Sequence, residues 1–167
     1  MNHVTLRAME PEDLDLLYRI ENDDSLWNVG ITNVPYSRYI LRDFIASSTG
    51  DIYKDGQVRL IIENIEHKVV GIVDIVNFDA RNCRAEVGIV IESQHRRKGY
   101  ATEALSLIAD YSHNVLHLHQ LYAIVCKDNI ASIALFSKAG YRLTAEMTDW
   151  LYTGKEYVSA QLLQKPL

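Results

Sequence analysis

The chain has 167 residues, 48% of them apolar, with 22 acidic against 17 basic side chains and a formal net charge of −5. That length suits one domain, 1–167, with its own core, and the acidity argues against a nucleic-acid partner, which needs a basic surface. No apolar run is long enough to span a membrane, and the opening Met1-Asn2-His3-Val4-Thr5-Leu6 lacks a charged-then-apolar signal, so no membrane association is expected.

Val4 to Ala8 reads as a first strand. Pro11-Glu12-Asp13 opens a helix, since proline fits a first turn and carboxylates favour the positive end of the helix dipole; Leu14, Leu17 and Tyr18 follow at helical spacing. Residues 22–35 read as loop, 36–47 as a second helix, and Ser48-Thr49-Gly50-Asp51 as its break. Val58 to Asn64 and Val69 to Phe78 are strands joined at Ile65-Glu66-His67. A fourth strand over Arg84–Glu92 leads into the main helix, Gly99 to about Val115. Leu121–Cys126 is the fifth strand and Ile130–Ala139 the last helix. Tyr141–Tyr152 and Tyr157–Gln164 close the chain as a pair turned at Thr153-Gly154-Lys155. This order predicts an α/β (α+β) fold: a mixed sheet with helices on both faces. Its strand–helix–strand crossover in the middle implies local parallel pairing. Cys83 and Cys126 are far apart and form no C-x-x-C, so they read as reduced thiols of a cytoplasmic protein.

The most informative stretch is Glu86 to Leu105. A β-branched run, Val87-Gly88-Ile89-Val90-Ile91, gives way to Gln94-His95-Arg96-Arg97-Lys98-Gly99-Tyr100-Ala101, and a helix follows. A turn of this kind aims backbone N–H groups at one point, backed by a helix dipole, and so binds phosphate.

Arg96-Arg97-Lys98-Gly99-Tyr100-Ala101 fits the pattern Q/R-x-x-G-x-G/A and resembles motif A of the GNAT family of N-acetyltransferases. Leu121–Cys126 followed by Asn129-Ile130-Ala131-Ser132 and Lys138-Ala139-Gly140-Tyr141 resembles motif B of the same family. The similarity covers nearly the whole chain, and from Arg84 onward it is closest to the bacterial spermidine and ribosomal-protein N-terminal acetyltransferase branches. The resemblance implies acetyl-CoA as co-substrate, its pyrophosphate on the loop Arg96, Arg97, Lys98, Gly99, Tyr100 and Ala101. It places Asn129 and Ser132 near the pantetheine arm and Phe136 beside the thioester. It also implies a mostly antiparallel sheet whose fourth and fifth strands splay around that arm.

Acetyl transfer needs a neutral amine, a donor for the developing oxyanion and a proton for the leaving thiolate. An alkyl amine of pKa about 10.4 is neutral only about once in a few thousand near neutral pH, and a general base supplies roughly 10²–10⁴-fold. Glu86, at the start of the fourth strand where relatives often keep a carboxylate, is the candidate base; a paired strand-end glutamate is the plain alternative. Asp74 is the other candidate, pointing into a cleft or lying on the exposed face of an alternating strand. In the resembling family a bulge near Val90 or Ile91 frees the oxyanion donor. Where relatives carry a proton-donating tyrosine in L-Y-x-x-x-G-F, this chain has Phe136. Tyr141 reads as core.

Glu21, Asp23 and Asp24 form an acidic patch suited to a cationic acceptor, or an ordinary solvated loop. His113, His117 and His119 read as a polar helix end and loop, so no metal is expected. The leading reading is direct acetyl transfer from acetyl-CoA to a primary amine: a polyamine, another small amine or a protein N-terminus. The alternative, which Phe136 favours, is an acyl-CoA-binding sensor or scaffold that has lost catalysis. Assembly into a homo-oligomer stays open.

Overall fold

The computed structural model describes residues 3–23 and 34–167. Seven strands form one sheet: β1 (Val4–Ala8), β2 (Val58–Asn64), β3 (Val69–Asp79), β4 (Arg84–Ile91), β5 (Gln120–Cys126), β6 (Arg142–Tyr152) and β7 (Tyr157–Pro166). Their spatial order is β1-β2-β3-β4-β5-β7-β6, antiparallel at every junction except β4–β5. This is the mixed, mostly antiparallel sheet that the sequence implied.

Five described helices cover it. They are α1 (Leu14–Glu21), α2 (Arg38–Ser47), α3 (Ile52–Asp55), α4 (Tyr100–Asn114) and α5 (Ile130–Lys138). The strands are rich in Val and Ile, and their alternation feeds two apolar layers. On one face Leu16 and Ile20 of α1 pack with Ile61 and Ile72. On the other, Ala104, Leu105 and Ile108 of α4 and Phe136 of α5 share a larger core with Val73, Ile75, Ala85 and Val87.

The elements differ from the sequence reading in small ways with local causes. Pro11–Asp13 is a 3₁₀ turn that becomes α1 at Leu14. The second helix starts at Arg38 because the Ser37 hydroxyl caps it, accepting from Ile40 N at 3.2 Å. The short α3 was not expected. Asp51 accepts from Tyr53 N at 2.9 Å to open it, and Gly56 in the left-handed region closes it.

Two charged contacts fix the ends of the first strand. The Asp13 carboxylate is buried and accepts from Arg7 Nη1 and Nη2 at 2.8 and 2.9 Å and from Glu10 N at 2.8 Å. Glu103, in the first turn of α4, accepts from His3 N at 2.6 Å and Val4 N at 3.3 Å.

Burial alone would raise the Asp13 pKa, but the Arg7 and Glu10 hydrogen bonds outweigh it and hold the group below its ordinary 3.8. An acid with a lowered native pKa contributes stability above its unfolded pKa and loses it as pH falls through the native value. Asp13→Asn should therefore cost about 2 kcal/mol near neutral pH. The gap to the parent should close only below the ordinary carboxylate range, as read by urea denaturation across pH.

Candidate active site

The β4–β5 ladder comprises only Arg84↔Gln120, Ala85↔Leu121 and Glu86↔Tyr122. Both strands continue, β4 to Ile91 and β5 to Cys126, without further pairing to each other. They part after Glu86 and leave a cleft walled by two strand edges.

Alternation decides which β4 groups face that cleft. Glu92 N donates to Val70 O at 3.0 Å, so Glu92 belongs to the hydrogen-bonded set of the β3–β4 ladder. Two residues back, Val90, opposite Ile72, directs its amide to β3; Ile89 and Ile91 direct theirs away, toward the opening. The Ile91 carbonyl lies on that side and accepts from Arg96 Nε at 3.0 Å. Of the two expected oxyanion donors, Ile91 therefore faces the cleft and Val90 does not.

The expected bulge at Val90–Ile91 is absent from this ladder, whose register runs unbroken from Gly71↔Ile91 to Val76↔Glu86. The irregularities sit on β3 instead. Val70 is the extra residue against β2, and a second extra residue falls between Val76 and Asp79. At the first, backbones approach so closely that a Cβ on Gly71 would lie 2.2 Å from Val90 O.

Glu86 stands at the point of parting, half-buried. Its Oε2 accepts from Asn77 Nδ2 at 2.7 Å. Burial pushes its pKa above the ordinary 4.5, and the Asn77 hydrogen bond offsets part of that rise. Tyr122, opposite Glu86 on β5, has its phenol pKa raised, first by burial and then by the Glu86 charge, so it stays protonated.

Asp74 shares the Glu86 face but is committed elsewhere. Arg59 on β2 grips it through Nε–Oδ1 at 2.6 Å and Nη2–Oδ2 at 2.9 Å, and reaches Glu21 Oε1 through Nη1 at 2.5 Å. Burial would depress the Arg59 pKa; the two carboxylates outweigh it and hold the group firmly charged. Phe44 of α2 lies under the guanidinium, 5.5 Å from its ring centre. Both oxygens of Asp74 are taken up by guanidinium bonds, so the geometry does not support Asp74 as a base. Glu21, part of the expected acidic patch, belongs to the same cluster; Asp24 lies outside the described residues.

The turn after β4 has the expected character. Ser93–His95 forms a 3₁₀ turn, Arg97 has φ +62° and Gly99 φ +85°, and Gly99 caps α4. The N–H groups of Tyr100, Ala101 and Thr102 precede the first intrahelical bond, Glu103 N to Gly99 O at 3.2 Å, and so have no acceptor within the helix. No atom lies within 4 Å of a Cβ built on Gly99, which leaves room for a ligand to reach the backbone. Arg96, Arg97 and Lys98 are exposed around it. Three free amides, three cations and an unobstructed approach make this turn a candidate anion site.

At α5, Asn129 caps the helix, its Oδ1 accepting from Ser132 N at 3.1 Å. Phe136 departs from expectation. It is 3% exposed and packs edge-to-face on the buried Tyr141, ring centres 5.1 Å apart. It is a core side chain here, with almost no surface to offer a thioester.

Three residues at the site escaped the sequence reading. Arg59 had a readable signal: one cation in an apolar strand, opposite one anion in its hairpin partner. Asn77 had a weak one, an asparagine at a strand end, where a positive φ is tolerated. Nothing in the sequence singled out Tyr122.

The profile of the acetyltransferase (GNAT) domain matches residues 3–142. A spermidine N(1)-acetyltransferase of Escherichia coli K12 is 30% identical over 158 residues, covering 94% of this chain and 82% of that protein. The crystal structure of a Vibrio cholerae spermidine N-acetyltransferase in complex with CoA and spermine superposes with a TM-score of 0.86 at 22% identity, covering 99% and 96% of the two chains. A dodecameric structure of spermidine N-acetyltransferase from Vibrio cholerae gives 0.81 at 23% identity, covering 99% and 95%.

Proposed function

The chain belongs to the GNAT acetyltransferase family and acetylates amines with acetyl-CoA, and within that activity we propose that Glu86 is the general base and a polyamine or similar small primary amine the acceptor. The observation that carries the reading is the position of Glu86. Its carboxylate stands where β4 and β5 part, and beyond it the Ile89 and Ile91 amides face the cleft.

Acetyl-CoA supplies an activated acyl carbon: a C–N bond to the amine forms, the C–S bond breaks, and the amine's proton passes to Glu86 directly or through water. Ile91 N–H is the proposed donor to the thioester oxygen, in place of Val90. The turn Arg96–Ala101 holds the pyrophosphate, and Asn129 and Ser132 border the pantetheine arm. Thiolate takes its proton from water, which its modest basicity allows. Phe136 favoured the alternative of a catalytically silent binding module; as a packed core residue it supports that reading no longer. The acceptor assignment rests on the spermidine-acetylating relative and on the acidic chain.

The reading covers the chain as one catalytic domain. Among the described residues no helix is long and apolar enough to cross a membrane. Both cysteines are free, which supports a cytoplasmic setting.

Thiol release assayed over a panel of polyamines, monoamines and peptide N-termini, with Glu86→Gln beside the parent, tests the proposal. The base works ionised, so the raised Glu86 pKa should put the acidic limb of kcat/KM above the ordinary carboxylate range. Activity should fall as pH drops through it. Glu86→Gln should lose at least ~10²-fold near neutral pH, with cofactor affinity unchanged and a smaller loss at high pH. A uniform loss at every pH would point to stability instead.

Gly99→Asn adds a Cβ while tolerating the left-handed backbone, so it separates obstruction from strain. Acetyl-CoA should bind at least ~10-fold more weakly, equivalent to about 1.4 kcal/mol, by calorimetry on a folded protein.

A homo-oligomer is also proposed. The long β6 is an edge strand of the sheet, and Leu143, Trp150, Tyr152 and Tyr157 stand exposed on its hairpin with β7. Light scattering should give a mass of two or more chains, and Trp150→Asp should lower it.

A further inference from the structure

The bulge on β3 falls opposite the residue proposed as base. The register passes from Val76↔Glu86 to Asp79↔Arg84, three steps on β3 against two on β4. Within that extra step Asn77 has φ +49°. Asparagine is among the few side-chain-bearing residues that tolerate this region. A bulge bends its strand and re-aims a side chain, and here the Asn77 amide lands 2.7 Å from Glu86 Oε2. The Glu86 Oε1 takes no hydrogen bond from any described residue.

We propose that Asn77 is a positioning residue for acetyl transfer: the β3 bulge sets its amide against one oxygen of Glu86 and leaves the other free to accept the proton of the amine. This rests on the reading of Glu86 as base.

The chemistry of the contact selects an amide. A neutral donor favours the ionised carboxylate without neutralising it as a cation would. It thus restrains the upward drift that burial imposes on Glu86. An arginine in the same place would clamp the base as Arg59 clamps Asp74. An aspartate would set like charges together. Among the described residues, the charged or titratable groups nearest on β3, β4 and β5 are partnered or neutral. From β3, Asp74 pairs with Arg59 of β2, which also holds Glu21 of α1. Asp79 pairs with Arg84 of β4 at 3.2 Å. From β5, Tyr122 keeps its proton. Among the described groups, Asn77 is the one that hydrogen-bonds the Glu86 carboxylate.

The test uses Asn77→Gly, which removes the amide yet adopts positive φ freely, and Asn77→Asp, which keeps shape and adds charge. Carboxyl-carbon NMR titration of the full chain without ligand reads Glu86 directly, its signal assigned by its disappearance in Glu86→Gln. We expect the Glu86 titration to move up by about half a pH unit in Asn77→Gly and further in Asn77→Asp. The acidic limb of kcat/KM should follow, with a loss of roughly three- to tenfold near neutral pH and unchanged KM for acetyl-CoA. A Glu86 signal at its parental position in both variants overturns the proposal. So does a parental acidic limb in both variants if Glu86→Gln abolishes that limb. Should the signal move while Glu86→Gln keeps a normal limb, the contact is upheld and the assignment of Glu86 as base is what fails.

Discussion

Everything at this site depends on a ladder that stops. Three residue pairs join β4 to β5, and then two strands that could go on exchanging hydrogen bonds do not. A buried strand edge with unmet amides is costly in a closed protein. The cost is tolerable where a ligand can satisfy the same groups. The outward amides of Ile89 and Ile91 are such a set, so an extended amide-bearing chain between β4 and β5 completes the sheet rather than intruding on it. The α4 amides follow β4 through the turn at 93–99, so the proposed pantetheine arm and pyrophosphate would both meet backbone donors.

The acceptor side is governed by charge. Counting carboxylates in the sequence suggests a strongly anionic face, with Glu21, Asp74 and Glu86 all on it. The fold gives a different balance, since Arg59 spans Glu21 and Asp74 and leaves Glu86 apart. Two neighbouring acids thus have different surroundings. Asp74 is held by two charged hydrogen bonds. Glu86 is touched by one neutral donor, which suits the role proposed for it. The distinction lies in partners, which no single position in a sequence reveals.

Much of the frame was legible because it rests on local rules. Runs of Val and Ile marked the central strands, and Ser, Asp and Gly punctuation marked most helix ends. The turn into α4 was readable because its requirement, a left-handed residue at a helix start, is written in one glycine. What escaped reading depends on pairing between distant segments. A bulge was expected on β4 and two lie on β3, because register belongs to two strands at once. Asn77 faces Glu86 from the second of them. Phe136 was placed by motif position, whereas its burial follows from packing on Tyr141. The short α3 was hidden by a break signal, since the same Asp51 that ends one segment caps the next.

Glu103 lies in the first turn of α4, three residues into the helix whose free amides form the proposed anion site. Its charge steadies the helix dipole but opposes a bound phosphate. In the folded chain β1 takes up that charge, through the His3 and Val4 amides. Docking of the first strand and occupancy of the turn therefore share one carboxylate, and linkage makes the effect mutual. Whatever loosens β1 weakens the hold on the anion, and a bound anion in turn protects the β1 amides from hydrogen exchange. The edge of the sheet opposite the β6–β7 hairpin would thus have a voice in cofactor affinity through the proposed anion site.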